Sequence, residues 1–350
     1  MLEKFTLQLA GAQPLTDEQI RQAVDQLSDE TVSAIVKAGF LTALAKKGET
    51  YDEIAAFARA LRDKSIPPPL DDETRHREIL DVVGTGGDRL GTFNISTAAA
   101  LVCAAAGVTV AKHGNRAVTS QAGSADVLEA LGVRIDLTPP EAARSLRERG
   151  FAFFFAPTWH PAFKHIAPAR KLCAERGQRT VFNYLGPLLN PARPSAMLVG
   201  VPQPELCETL AHVLQSLGVR RAMVVCGKVP NLRSKGQNTI DELSTLGENT
   251  IAEFYQERGF ATSILPPEAF PLQAAALEDL IGGDRHENAE IIRHVFRGDE
   301  RGPKRDAVLL NSAAALFVAG KAKSLTEGWD LAGRTIDSGC ASAKLEELAR

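Results

Sequence analysis

The chain has 350 residues, of which 44% are hydrophobic, enough for one large or two medium-sized domains with a substantial core. Its net charge of −3 gives no reason to expect a nucleic-acid-binding protein. The five cysteines form no CxxC pair, and no apolar run approaches the length of a membrane span, so we expect neither a zinc or disulfide framework nor a membrane protein. The first residues lack the apolar core of a signal peptide, and we expect a cytoplasmic location.

The first 64 residues contain only helical patterns. Apolar periodicity predicts helices over 15–27, from a cap at 28–31 to Ala45, and over 50–61, the last with a capping box of Thr50 and Glu53. Three consecutive prolines then end the helical block. We therefore predict a small all-helical N-terminal domain over residues 1–72.

Strand and helix patterns alternate from residue 79 onward. The predicted strands are 79–83, 108–112, 152–155, a weak one at 180–182, 196–201, 221–226, 250–254 and 260–264. The predicted helices are one starting near Ser96, 125–131, 204–217, 274–281, 286–296, 304–319, 324–338 and 341–349. Such alternation is typical of an α/β fold with a largely parallel sheet flanked by helices.

The segment 162–176 has helical spacing between two predicted strands. It could return to the N-terminal helices and complete their domain over about 162–188. The large α/β domain would then consist of residues 73–161 and 189–350, with the substrates in the cleft between the domains.

A glycine-rich loop follows the first predicted strand and consists of Gly84, Thr85, Gly86, Gly87 and Asp88. It should lie at the carboxyl edge of the sheet, where such folds bind ligands. Glycines let backbone N–H groups approach a phosphate, but the spacing fits neither a Walker loop nor a dinucleotide fingerprint. On the glycines alone, a tight turn and a phosphate-binding loop are equally good interpretations.

Small polar residues precede the next helix, namely Thr92, Asn94, Ser96 and Thr97. A helix N-terminus with hydroxyl side chains favours an anion, although Ser96 or Thr97 could also be an ordinary cap. These residues shift the interpretation of the glycine loop toward phosphate binding.

The second strand is followed by a segment that contains Lys112, His113, Asn115 and Arg116. Its cations can neutralise phosphate, and its His and Asn offer directional hydrogen bonds to a second substrate. The loop 120–124, which ends in Ser124, repeats the pattern of a loop before a helix.

Adjacent carboxylates occur at Asp241 and Glu242. Most Asp-Glu pairs lie on solvated surfaces, so this pair is weak evidence by itself. It suits Mg²⁺, which takes one or two carboxylates together with substrate phosphates.

Together these segments resemble the anthranilate phosphoribosyltransferases, and more distantly the pyrimidine nucleoside phosphorylases of the same fold. The matching blocks occur in the family's order over nearly the whole chain: 81–88, 92–97, 112–116, 123–132, 160–161, 183–191 and 241–244. The resemblance implies a nucleoside phosphorylase/phosphoribosyltransferase-like fold and a homodimer. It also implies an Mg²⁺-dependent reaction of tryptophan biosynthesis, in which anthranilate displaces diphosphate from C1 of phosphoribosyl pyrophosphate (PRPP).

The resemblance further implies roles for single residues. PRPP would be bound by Gly84, Thr85, Gly86, Gly87, Asp88, Thr92, Asn94, Ser96, Thr97, Lys112 and Ser124. Anthranilate would contact Gly84, His113, Asn115, His160, Gly186, Pro187 and Arg170, the last facing its carboxylate. Mg²⁺ would be bound by Ser96, Asp241 and Glu242. No side chain need act as a nucleophile, because positioning carries much of the rate.

The sequence departs from the family pattern at three places. Gln121 occupies a position where the family often has Lys, and Arg89 replaces a usual glycine. The segment 228–240 is roughly ten residues longer than usual, which a surface loop tolerates at small cost. It carries Lys228, Arg233 and Lys235, so an altered lid or an extra contact is the alternative interpretation.

These departures leave other functions open. The chain could be a relative with a different acceptor, a non-catalytic nucleic-acid-binding relative, or a nucleoside phosphorylase. The retained glycine loop, Asn115, Arg170 and the Asp241-Glu242 pair argue against a nucleic-acid-binding relative, as does the net charge. Arg170 and the segment 112–116 favour the PRPP reaction over that of a nucleoside phosphorylase.

Overall fold

The structure, a computed structural model, describes residues 1–117, 121–230, 238–256 and 259–350. The predicted loop position 120 and the two cations Arg233 and Lys235 of the long segment lie outside the described residues.

Four helices form the N-terminal block: α1 (Leu2–Ala10), α2 (Asp17–Ser28), α3 (Ala34–Lys47) and α4 (Tyr51–Asp63). The Thr50–Glu53 capping box at the start of α4 is present, as predicted. The predicted cap at 28–31 is wrong, because α2 continues to Ser28 and the hydroxyl of Ser33 caps α3. Helix α1 was not predicted individually.

The rest of the chain alternates strands and helices in this order: α5 (Asp72–His76), β1 (Ile79–Gly84), α6 (Ile95–Ala105), β2 (Thr109–Gly114), α7 (Ser124–Ala130), α8 (Pro139–Arg149), β3 (Phe151–Phe155), α9 (Ala156–Trp159), α10 (Phe163–Glu175), β4 (Ala196–Gly200), α11 (Glu205–Ser216), β5 (Arg221–Lys228), β6 (Thr239–Ile240), β7 (Asn249–Tyr255), β8 (Gly259–Leu265), α12 (Arg285–Arg297), α13 (Pro303–Val318), α14 (Leu325–Asp337) and α15 (Cys340–Leu348).

The strands form one sheet in the order β3-β2-β1-β4-β5-β7-β8, with β6 paired to β5. The pairs among β3, β2, β1, β4 and β5 are parallel, whereas β6, β7 and β8 pair antiparallel. The predicted α/β class with a largely parallel sheet is therefore confirmed. Parallel strands bring the ends of β1, β2 and β4 to one edge, where the functional residues gather.

Two predicted elements are wrong. The weak strand at 180–182 is a short 3-10 helix over Val181–Asn183, whose first turn is closed by the Asn183 side chain accepting from the backbone N–H of Thr180. The helix predicted over 274–281 is only a 3-10 turn at Leu277–Leu280, set by Asp279 accepting from the backbone N–H of Ala276. Local side-chain bonds thus override the apolar spacing at both places.

Helices cover both faces of the sheet. On one face, α6, α13 and the C-terminal helices pack on the sheet in a single apolar core. On the other face, a second core joins α11 and the sheet to the N-terminal helices. Helix α10 packs against α3 and α2, and the ammonium of Lys37 donates to the carbonyl of His165 over 2.8 Å. Within the described ranges, no helix is both long and apolar enough to cross a membrane.

Candidate active site

The glycine loop and the acidic pair meet where β1 ends. The backbone N–H of Gly86 donates to Asp241 Oδ2 over 2.6 Å. A Cβ at Gly84 would lie 2.5 Å from the same oxygen, so no larger residue fits without movement. The loop is therefore built around an acidic side chain from a distant segment, which a simple strand-to-helix turn would not require.

The second acid of the pair reaches the start of α6. Glu242 Oε1 accepts from the backbone N–H of Ser96 over 3.2 Å. Burial, together with the nearby carboxylate of Asp88, raises the pKa of Asp241 well above its usual range. Burial also raises the pKa of Glu242 to about 7, although the charge of Lys112 opposes the shift. A cation between these carboxylates would relieve their repulsion.

Lys112 lies inside β2 rather than after it, and the residue is 1% exposed. Its ammonium donates to the carbonyl of Val82 over 2.6 Å and interacts electrostatically with the carboxylates of Asp81 and Glu242. The structure thus brings Lys112 to the buried side of the acidic pair. Its direct contact with PRPP stays a prediction.

A buried polar network behind this edge was missed by the sequence reasoning. Asp81 accepts from the side-chain amide of Asn190 over 2.9 Å and from the backbone N–H of His113 over 3.3 Å. Burial raises the pKa of Asp81 to about 6. The same amide of Asn190 donates to Ala111 over 2.7 Å, so it links β1, β2 and the segment before β4. An Asp inside an otherwise apolar strand was the available signal.

The polar segments beyond the sheet edge are joined by side-chain amides. Asn94 donates to the carbonyl of Ala122 over 3.2 Å and accepts from Asn288 over 2.9 Å. The Ser124 hydroxyl lies 3.4 Å from the carbonyl of Asn115. The two loops predicted to bind PRPP are therefore in direct contact.

Other residues predicted to bind PRPP make different kinds of contact within the protein. Thr97 is fully buried, and its hydroxyl has no partner among the described residues. Thr92 forms an isolated bridge with Ile281. The backbone N–H of Thr85 donates to Gly200 over 2.9 Å, and that of Leu90 to Asp88 Oδ1 over 3.2 Å.

His113, at the end of β2, and His160 form a pair of buried histidines. The Nε2 atoms of His113 and His160 are 3.2 Å apart, and the His113 ring also bonds to the backbone of Gly186. Burial lowers the pKa of His113 to about 3, and that of His160 to about 4. Both rings are therefore neutral near pH 7, and one donates its Nε2–H to the other.

A row of aromatic rings continues from the histidines to Arg170. His160 lies edge-on to Phe163 at 5.4 Å, and Phe163 edge-on to Phe182 at 5.7 Å between ring centroids. The Arg170 guanidinium carbon is 5.3 Å from the Phe182 ring centroid. Sequence reasoning missed both phenylalanines, because an isolated Phe gives no functional signal.

The row borders the segment between α10 and β4. Gly186 and Pro187 begin a 3-10 helix there, and Pro187 is buried. The structure thus brings His113, His160, Gly186 and Arg170 into one region, as the resemblance implies. Their contact with anthranilate stays a prediction.

The two single-residue departures adjoin predicted PRPP-binding segments in the sequence: Arg89 follows Asp88, and Gln121 precedes Ala122. Arg89 has φ of +59°, a left-handed conformation that favours glycine and costs a side-chain-bearing residue about 1–2 kcal/mol. Gln121 is exposed next to the segment that Asn94 contacts. Nothing in the structure explains why Arg89 is present.

Two family models match the chain. The helical bundle domain of the glycosyl transferase family matches residues 4–65, and its a/b domain matches residues 76–342. The fold and the site thus define a two-domain glycosyl transferase.

Relatives narrow this class further. The anthranilate phosphoribosyltransferases of Petrotoga mobilis and Rubrobacter xylanophilus are 45% and 44% identical, over 99% and 100% of this chain and 96% and 97% of their own. The chain belongs to the anthranilate phosphoribosyltransferase family. The crystal structure of the Thermus thermophilus enzyme has a TM-score of 0.87 at 43% identity, covering 99% of this chain and 98% of its own. The Saccharomyces cerevisiae enzyme in complex with PRPP and Mg has a TM-score of 0.85 at 29% identity, with 99% and 96% covered.

Proposed function

We propose that this chain transfers the phosphoribosyl group of PRPP to anthranilate, giving N-(5-phosphoribosyl)anthranilate and diphosphate in tryptophan biosynthesis. The observation that carries the proposal is the meeting of the glycine loop with Asp241 at 2.6 Å, beside the ring row that leads to Arg170. The glycine loop and Asp241 suit a multiply charged phosphate, and the ring row with Arg170 suits an aromatic acid.

The reaction needs a leaving group to depart rather than a strong nucleophile. The amino nitrogen of anthranilate forms a bond to C1 of PRPP, and the bond from C1 to the diphosphate oxygen breaks with its electron pair on that oxygen. The amine then releases one proton. The backbone N–H groups of Thr85 and Gly86 already donate to Gly200 and Asp241. The other backbone donors of residues 84–88 and the N-terminus of α6 are therefore the groups that would stabilise charge growing on the diphosphate.

Mg²⁺ is part of the proposal, and the residues present fit it. Asp241 is a buried and Glu242 a half-buried carboxylate, both with raised pKa values, and Ser96 supplies a hydroxyl beside Glu242. Among the described residues, no group of three His, Cys, Asp or Glu side chains is arranged to hold a metal. Mg²⁺ commonly takes one or two carboxylates and completes its shell with water and phosphate. When bound, it would neutralise charge on the diphosphate.

The acceptor side is apolar except at its ends. Phe163 and Phe182 would pack against the anthranilate ring, and Arg170 would pair with its carboxylate. The neutral histidines offer hydrogen-bonding edges without adding a second cation. This arrangement favours a planar aromatic carboxylate over a nucleobase.

The test mixes the chain with PRPP, Mg²⁺ and anthranilate and follows the loss of anthranilate fluorescence. We expect loss that requires all three components and stops when the metal is chelated. No loss at saturating substrates would reject the proposal. Turnover with a different aromatic acid or a nucleobase instead would support one of the alternative acceptors, and a salt-sensitive DNA shift without turnover would support a nucleic-acid-binding relative.

A homodimer, a cytoplasmic location and the predicted domain division also belong to the proposal. Leu7 on α1 and Ile35 on α3 are apolar yet 75% and 73% exposed, which supports an interface on the N-terminal helices. All five cysteines are free, which supports a reducing compartment. The packing of α10 on α3 supports assigning 162–188 to the helical domain.

A further inference from the structure

We propose that Asp126 is a positioning residue that sets the affinity for PRPP by joining the two sides of the loop between β2 and α7. The segments 115–117 and 121–124 are called the loop neck here. The role rests on the proposed function, because the neck contains Asn115 and Ser124, two predicted substrate contacts.

The carboxylate of Asp126 joins both sides of the loop neck. Its Oδ2 accepts from the backbone N–H of Ala117 over 2.9 Å on one side and from that of Gly123 over 3.0 Å on the other. Its Oδ1 accepts from Arg116 over 2.8 Å. Because one oxygen takes both backbone donors, the spacing between the two sides depends on this side chain.

The loop neck has no spare room. A Cβ at Gly123 would lie 2.4 Å from the backbone nitrogen of Ala117, so backbone packs directly on backbone. The carbonyl of Asn115 accepts from the backbone N–H of Ala125 over 3.2 Å. A small opening of the neck would therefore move Asn115 relative to α7.

The loop neck also contacts the other predicted PRPP segment. Asn94 donates to the carbonyl of Ala122, within the neck, over 3.2 Å. A displacement of the neck would thus reach the residues before α6. This coupling explains why the Asp126 carboxylate would change the affinity for PRPP without contacting it.

A neighbouring acid provides a matched control. Glu129 accepts from the Arg116 guanidinium over 3.0 and 3.1 Å and from Arg285 over 3.4 Å. Within the described residues, the hydrogen bonds of Glu129 go to guanidinium groups, whereas those of Asp126 include the two neck N–H groups. Glu129→Gln therefore weakens a pairing of the same Arg116 guanidinium and leaves the two hydrogen bonds of the neck to Asp126 intact.

The experiment measures PRPP binding in the presence of Mg²⁺ by titration calorimetry. Calorimetric stoichiometry reports the folded fraction, and Kd reports the geometry of the site, so a merely structural defect would lower the first and leave the second unchanged. For Asp126→Ala we expect a PRPP Kd at least about tenfold higher, which corresponds to a loss of about 1.4 kcal/mol of binding free energy. Asp126→Asn keeps an acceptor oxygen for the neck and should stay within about threefold of the unaltered chain.

Three results would overturn the role. They are an unchanged PRPP Kd in Asp126→Ala, an equal rise of the PRPP Kd in Glu129→Gln, and a PRPP Kd in Asp126→Asn as high as in Asp126→Ala. If Asp126→Ala does not fold, Gly123→Ala opens the same neck from the opposite side, and an unchanged Kd there also overturns it. Failure of the unaltered chain to bind PRPP would instead reject the proposed function.

Discussion

Replacing Glu242 with Gln should stabilise the metal-free chain at high pH and leave it unchanged at low pH. The pKa of Glu242 is about 7 in the folded chain against an ordinary value of 4.5. Below pH 4.5 the carboxyl is protonated in both folded and unfolded chains, so burial costs nothing. Between pH 4.5 and about 7 the unfolded chain ionises this carboxyl while the folded chain keeps its proton, so stability falls across that window and levels off above pH 7, where the folded chain carries the buried charge. Gln keeps the oxygen that accepts from Ser96 and avoids the charge.

The size of the effect follows from the two pKa values. Their difference corresponds to a loss of roughly 3 kcal/mol in the free energy of unfolding at high pH. Solvent that reaches the partly exposed Glu242 side chain reduces this loss to roughly 2 kcal/mol. Unfolding entropy of about 2.1 cal/mol/K per residue converts that into a Tm difference of about 3 °C.

The assay is thermal unfolding followed by circular dichroism in chelator, at several pH values from 4.5 to 8. We expect Glu242→Gln and the unaltered chain to coincide at pH 4.5 and to separate by about 3 °C at pH 8. Glu248→Gln, in an exposed pair with Lys228, is the control and should stay within about 1 °C. A Glu242→Gln variant that is less stable at pH 8, or equally shifted at every pH, would refute the reasoning.

Three further variants test separate parts of the site. Arg170→Ala should raise the anthranilate KM more than the PRPP KM in steady-state kinetics, and the reverse pattern would reject its pairing with the carboxylate. Gly84→Ala places a methyl group 2.5 Å from Asp241 Oδ2 and should lower kcat/KM at least about tenfold, so normal kinetics would contradict the close packing of loop and acid. Leu7→Glu should convert the proposed homodimer into a monomer in light-scattering chromatography, and an unaltered mass would contradict an interface at Leu7.

Much of the fold was predictable because its signals are local. Apolar strands that end in glycine or polar residues gave β1, β2 and β4, and the alternation with helices gave the parallel sheet. The capping box at Thr50 fixed the start of α4. The antiparallel pairing of β7 and β8 was not predicted, because strand direction depends on tertiary connections.

The candidate site was only partly predictable, for a similar reason. The glycine loop and Asp241 are far apart in sequence, and only the fold shows that they share a hydrogen bond. Lys112 was assigned to the polar segment at the end of the second strand, yet the strand continues past it to Gly114 and buries its ammonium. Phe163 and Phe182 look like ordinary core residues until the structure aligns them with Arg170.

The proposed transfer is tested most directly by counting diphosphate released against anthranilate consumed, with PRPP and Mg²⁺ in excess. We predict one diphosphate for each anthranilate and negligible release when anthranilate is omitted. Release at the same rate without anthranilate, or consumption of anthranilate without diphosphate, would contradict the proposed transfer.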